Sequence, residues 1–220
     1  MGRYRPPGVT DVEDETKPSL IARLFPQMPD FRRLLLDQAE QAQASLHALR
    51  EMLEADKLDV AALYALEEKA DALRSRNARR LSQAFATSYD REDIARTVEQ
   101  LDWIVAHTLA TGTEMHALNV TVDDAIRELT DLVHAGVGDL VEALRLIDED
   151  DDAARAACSA AQAADRAARR RYEAGLSELF RSGDPIEIMR RREVYHHLKD
   201  AAKRVFEAAV ILDTIRVKNV

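Results

Sequence analysis

The chain has 220 residues, 46% of them hydrophobic and 32% charged, with a formal net charge of −9. Glycine (7), proline (6) and aromatic side chains (5%) are scarce, which disfavours a sandwich, barrel or doubly wound sheet, whose turns and packed faces draw on those residue types. No stretch approaches the roughly 20 apolar residues that cross a bilayer, and the first twenty residues hold no apolar signal core, so neither insertion nor secretion is expected and the chain is placed in the cytoplasm.

Five of the six prolines fall in the first thirty residues, and residues 1–28 are read as a mobile N-terminal tail. Beyond it, apolar side chains at Phe31, Leu35, Ala39, Ala42, Leu46, Leu49 and Leu53 alternate steps of three and four, one stripe down one helix. The same spacing returns at Leu63, Leu66, Ala70 and Leu73, at Ile94, Val98, Leu101 and Val105, and at Ile126, Leu129, Val133, Val137, Leu140 and Leu144. A fifth stripe, Ala157, Ala161, Ala164 and Ala168, is almost wholly alanine, and a sixth runs through Leu198, Ala202, Val205, Ala209 and Leu212. Six helices are therefore expected, near 28–55, 58–87, 90–118, 121–148, 150–182 and 185–216, joined by short links that force antiparallel neighbours. Asp90 and Asp184 each stand as an N-cap three residues before an acid, Pro185 suits a first helical position, and Asp150, Asp151 and Asp152 open the fifth helix. The lone Cys158 excludes an internal disulfide and, in its alanine-rich setting, reads as a small buried apolar residue.

Asp90 and Asp184 are 94 residues apart, as are Glu67 and Ala161, while Leu81, Ser82 and Phe85 recur as Leu176, Ser177 and Phe180 at an offset of 95. A near-constant offset implies duplication: a first three-helix bundle at 29–118 and a second at 119–220.

No nucleophile elbow, phosphate-cradling glycine loop or zinc-protease histidine pair is present, and an enzyme is not expected. The six histidines include no pair three or four residues apart, so no helical face carries two ligands. Glu67 and Asp71 have that spacing, and Asp102 follows a core position on the next helix, so all three line the groove between helices two and three. Two readings fit them: oxygen ligands for a hard cation, or carboxylates at the core edge paired with Lys and Arg. Arg169, Arg170, Arg171, Arg181, Arg190, Arg191 and Arg192 gather near the junction of helices five and six, a patch suited either to phosphate, anionic lipid or an acidic loop, or to neutralisation by nearby acids. Nucleic acid is not expected as a partner, because the net charge is negative and few aromatics interleave with the arginines.

Several segments in order carry a resemblance: Leu24-Phe25-Pro26, Leu66-Glu67-Glu68-Lys69-Ala70-Asp71, Asp90-Arg91-Glu92-Asp93-Ile94, Asp184-Pro185-Ile186-Glu187, Glu193-Val194-Tyr195 and Val217-Lys218-Asn219. Together, from about residue 20 onward, they resemble the PhoU-like proteins of the DUF47 group, accessory proteins of Pit-type inorganic phosphate transporters. The resemblance implies an all-α, PhoU-like fold of two related three-helix bundles, and a regulatory role in phosphate uptake at the inner face of the membrane. It also implies metal sites built from E/D-xxx-D motifs, one per bundle. Glu67, Asp71 and Asp102 match the first site, where a divalent or iron-type ion would sit, but the fourth acid is Ala106 and a neighbouring acid is Trp103. In the second, the motif reads Ala161 to Asp165 and its partner Lys199 to Lys203, so no metal is expected there, and the two lysines are expected to neutralise Asp165. The working expectation is a non-catalytic regulator docking on a Pit-type transporter, peripheral to the membrane, through Arg190, Arg191 and Arg192. The alternative is a metal-binding protein with a partial site in the first bundle, and a third reading is a helical self-assembly module forming a homo-oligomer.

Overall fold

A computed structural model of the chain describes residues 29–181 and 184–219; the tail expected at 1–28 and the Leu24-Phe25-Pro26 segment lie outside the described residues. Six helices make up the fold: α1 (Phe31–Glu54), α2 (Val60–Gln83), α3 (Arg91–Ala117), α4 (Asp124–Leu146), α5 (Asp151–Leu179) and α6 (Pro185–Asn219). The expected boundaries stand to within three residues, except that α2 ends four residues early.

Every helix starts on an aspartate. The side chains of Asp30, Asp59, Asp90, Asp123, Asp150 and Asp184 each accept a bond from a backbone N–H of their own first turn, at 2.8–3.0 Å. Each satisfies one donor that the helix cannot satisfy itself, a contribution of about 1 kcal/mol. Two helix ends are closed without glycine. After α1 and α3, Asp56 (φ 50°) and Asn119 (φ 53°) take the left-handed conformation. There the N–H groups of Lys57 and Val120 reach back to the carbonyls of Met52 and Met115 at 3.0 and 2.9 Å, a closure usually given to glycine.

The apolar stripes of α1 and α4 are almost completely buried, with none of the residues predicted for them more than 1% exposed, and α6 behaves likewise from Leu198 to Leu212. Helix α2 departs from expectation. Leu63 and Ala70 are buried but Leu66 and Leu73 only half-buried, because among the described residues α2 packs on α1 and α3 and on no other helix. Its third buried side chain is Asn77, which donates to the carbonyl of Leu34 (3.0 Å) and to Gln38 Oε1 (2.9 Å), while Gln38 donates to the carbonyl of Val98 (2.9 Å). This polar chain ties α1, α2 and α3 together where the apolar stripe gives out.

Helices α1–α3 pack on one another, as do α4–α6, and the two bundles meet along two seams, α3 against α6 and α1 against α4. Each seam joins the helices that stand at the same place, first with first and third with third, in the two bundles. In the second bundle the alanines of α5 permit close approach: a Cβ added at Gly136 of α4 would lie 2.8 Å from Ala164 Cβ and 2.9 Å from Val205 Cγ1. Cys158 is buried there, as expected, and burial pushes its thiol up to about 11.

Candidate functional site

The carboxylate groove forms between α2 and α3, and an arginine stands in it. Arg74, one turn after Asp71, bonds Asp71 Oδ1 through Nε (3.2 Å) and through Nη2, and its Nε lies 3.3 Å from Asp102 Oδ1. Burial raises the Asp102 carboxyl above its ordinary range; Arg74 opposes the shift, and Asp71, Glu67 and Glu99 add to it. The Arg74 guanidinium is held more firmly protonated by its bond to Asp71 and by the charge of Asp102. Beside them Trp103 is partly exposed, with the Arg204 guanidinium 5.4 Å above its ring, a cation–π contact.

A divalent ion is held by several oxygens, some of them from water, in a shell free of competing cations. This groove offers three carboxylates with a guanidinium already among them, so the donor set does not fit one. Among the described residues no group of three or more His, Cys, Asp or Glu side chains is arranged to hold a metal ion.

The second bundle differs from expectation in one respect. Asp165 is buried, with its side chain 7% exposed, but its countercharge is Arg169 (Nη2 to Oδ2, 3.0 Å). Lys199 instead pairs with Asp200 at 2.9 Å and lies over the Tyr172 ring, and Lys203 reaches toward Glu207 at 3.8 Å.

The arginine patch divides into two populations. Arg191 turns inward, its side chain 15% exposed, and bonds Asp123 Oδ2 (2.6 Å), Thr121 Oγ1 (2.7 Å) and the carbonyl of Thr121 (3.0 Å), with Glu187 alongside. Arg171 is likewise committed to Glu128 and Glu178. Arg191 is therefore a fastening between α6 and the N-terminus of α4, and the expected docking triad reduces to Arg190 and Arg192. Arg190 is exposed and has no ion-pair partner among the described residues; Arg192 faces Glu193 at 3.7 Å. Arg190 and Glu193 line an open hollow of about 390 Å³ with Leu118, Ile186 and Met189, the last two more than 60% exposed.

The remaining segments of the resemblance serve helix ends. Tyr195 donates to Asp123 Oδ2 at 2.5 Å, and burial among these partners raises its hydroxyl pKa. Lys218 donates to the buried Asp93 at 2.6 Å and lies 3.6 Å from Asp90, so the Val217-Lys218 segment closes onto the start of α3.

A cluster that spacing along one helix does not reveal lies on the seams. On α3 and α6, the His107 and His197 rings are 5.9 Å apart, Trp103 is 5.9 Å from His107, and His197 Nε2 is 2.9 Å from Glu114 Oε1. On α1 and α4, His47 and His134 are also 5.9 Å apart. Burial presses His107 down to about 4; Asp200 opposes the shift, while His197, Arg204 and His196 add to it. His134 is lowered by burial, Arg50 and His47, against Asp131.

Six long antiparallel helices in two three-helix bundles make this an all-α chain with the PhoU-like fold. In particular, it is similar to the crystal structure of a PhoU-like protein from Shewanella oneidensis MR-1, at a TM-score of 0.73 and 12% identity over 86% of this chain and 99% of that one. It is also similar to a protein from the same organism whose proposed role is that of a PhoU-like phosphate regulatory protein, at a TM-score of 0.70 and 11% identity over 86% and 99%. No protein-family model and no curated protein matches the sequence.

Proposed function

We propose that this is a non-catalytic regulatory protein of inorganic phosphate transport that works by binding a membrane partner, a Pit-type transporter, from the inner face of the membrane. The observation that carries this reading is the shared fold, which spans almost the whole of a structure assigned a PhoU-like phosphate regulatory role. No helix among the described residues is long and apolar enough to cross a membrane, so contact with a transporter would be peripheral. Docking is assigned to the exposed surface of α6 around Arg190, beside Ile186 and Met189, where uncommitted positive charge adjoins exposed apolar surface; Arg192 lies further round the helix, facing Glu193.

The test is co-sedimentation with membranes that contain or lack a Pit-type transporter, at low and high phosphate. Transporter-dependent recruitment is expected, and Arg190→Glu with Arg192→Glu should weaken it, whereas Arg191→Glu would disturb the fold and is unsuitable. Equal sedimentation with both membranes would reject the transporter as partner, and unchanged recruitment of the double variant would reject this face.

A further inference from the structure

The two bundles meet two different electrostatic problems with the same kind of group. Asp71 and Asp165 are equivalent under the 94-residue offset, and each is bonded by an arginine about one turn later on its own helix, Arg74 and Arg169. Around Asp71 the other acids are Glu67 and Asp102; around Asp165 the equivalent of Glu67 is the fully buried Ala161. Three neighbouring carboxylates repel one another, and a single buried one is poorly solvated, so each place needs a cation. The chain supplies it covalently. A guanidinium tethered three or four residues away acts at high effective concentration and cannot be removed by a chelator.

We infer that Arg74 and Arg169 are internal counter-cations, Arg74 standing among carboxylates that could otherwise hold a metal ion and Arg169 neutralising a lone buried one, so that neither bundle depends on a metal ion. This goes beyond the proposed function and does not depend on which partner is bound. In the first bundle an ion would first have to displace Arg74 before it reached Glu67, Asp71 and Asp102. In the second it would meet one carboxylate already paired with Arg169.

The test is the metal content and thermal midpoint of the full chain, purified without chelator and then treated with EDTA, Mn2+ or Zn2+. The wild type is expected to hold less than about a tenth of an equivalent of metal and to melt at one temperature in all three conditions. Arg74→Gln frees Glu67, Asp71 and Asp102, and its midpoint should rise with Mn2+ or Zn2+, a response that Arg74→Gln with Asp102→Asn should lose. Arg169→Met should lower the midpoint by at least about 4 °C, since it strands a buried carboxylate. Adding Asp165→Asn should restore most of that loss, and Arg170→Met, at a neighbouring exposed arginine, should do little. A stoichiometric metal ion in the wild type overturns the inference whether or not the variants fold. It is equally overturned if Arg74→Gln folds and is as indifferent to Mn2+ and Zn2+ as the wild type, or if Arg169→Met melts with Arg170→Met.

Discussion

Replacing His107 by Gln tests the α3–α6 seam through its pH response. In the folded chain burial holds this imidazole at about 4, against 6.5 for a free one. Above pH 6.5 the ring is neutral in both states and costs nothing. As pH falls from 6.5 towards 4, the unfolded chain takes up a proton that the folded ring refuses, so stability is lost across that window and the loss is complete below it. For one group with these two values, the loss between pH 7 and pH 5 is roughly 2 kcal/mol. The ring is only half-buried and solvent screens its neighbours, which reduces the expected effect to about 1 kcal/mol. The charged and titrating groups facing it are His197, His196, Asp200 and Arg204 on α6. They persist in the variant, so the difference between the two proteins isolates His107. Urea unfolding at pH 7, 6 and 5 supplies the measurement. The wild type should lose about 1 kcal/mol more than His107→Gln between pH 7 and 5; parallel stability curves would refute the assignment of a depressed, seam-facing histidine.

Two further outcomes follow from the packing of the second bundle. Gly136→Ala would push a methyl group to within 3 Å of Ala164 and Val205, and the overpacking should cost about 1–3 kcal/mol, outweighing a helix-propensity gain of about 1 kcal/mol, as read by chemical denaturation. Cys158, pushed up to about 11 by burial, should resist an aromatic disulfide reagent at pH 8 in the folded protein and react at once in denaturant; fast labelling of the native chain would contradict the packing of α5.

How much of this was legible in the sequence depended on whether the relevant neighbour lay on the same helix. The stripes of α1, α4 and α6 were readable because each faces packed helices along its length. The α2 stripe was readable only in part, because that helix has one covered side and closes it with Asn77 and Gln38, polar residues without an apolar signal. Arg191 was grouped with Arg190 and Arg192 by adjacency, although successive helical residues point about 100° apart. Counting back seven from the core residue Leu198 puts 191 on the inner face, a signal that was available. Arg74 carried a signal too, three residues after Asp71, but nothing local showed that it also approaches Asp102. The histidine pairs were invisible to any search along one helix, since His107 meets His197 only through the packing of α3 on α6.

The bond from Lys218 to Asp93 spans 125 positions of the chain. The start of α3 belongs to the first bundle, yet the closer of the two cations facing its buried acid arrives only when nearly all of the second has been synthesised. Closing so long a loop has an entropic cost that local contacts do not, and it slows the step that completes the fold. An emerging chain with α1–α3 already made therefore carries a buried carboxylate whose one nearby cation is the more distant Arg96, at 3.9 Å, and an uncovered α3 face. The two bundles are expected to reach their final state in one concerted event rather than in order of synthesis.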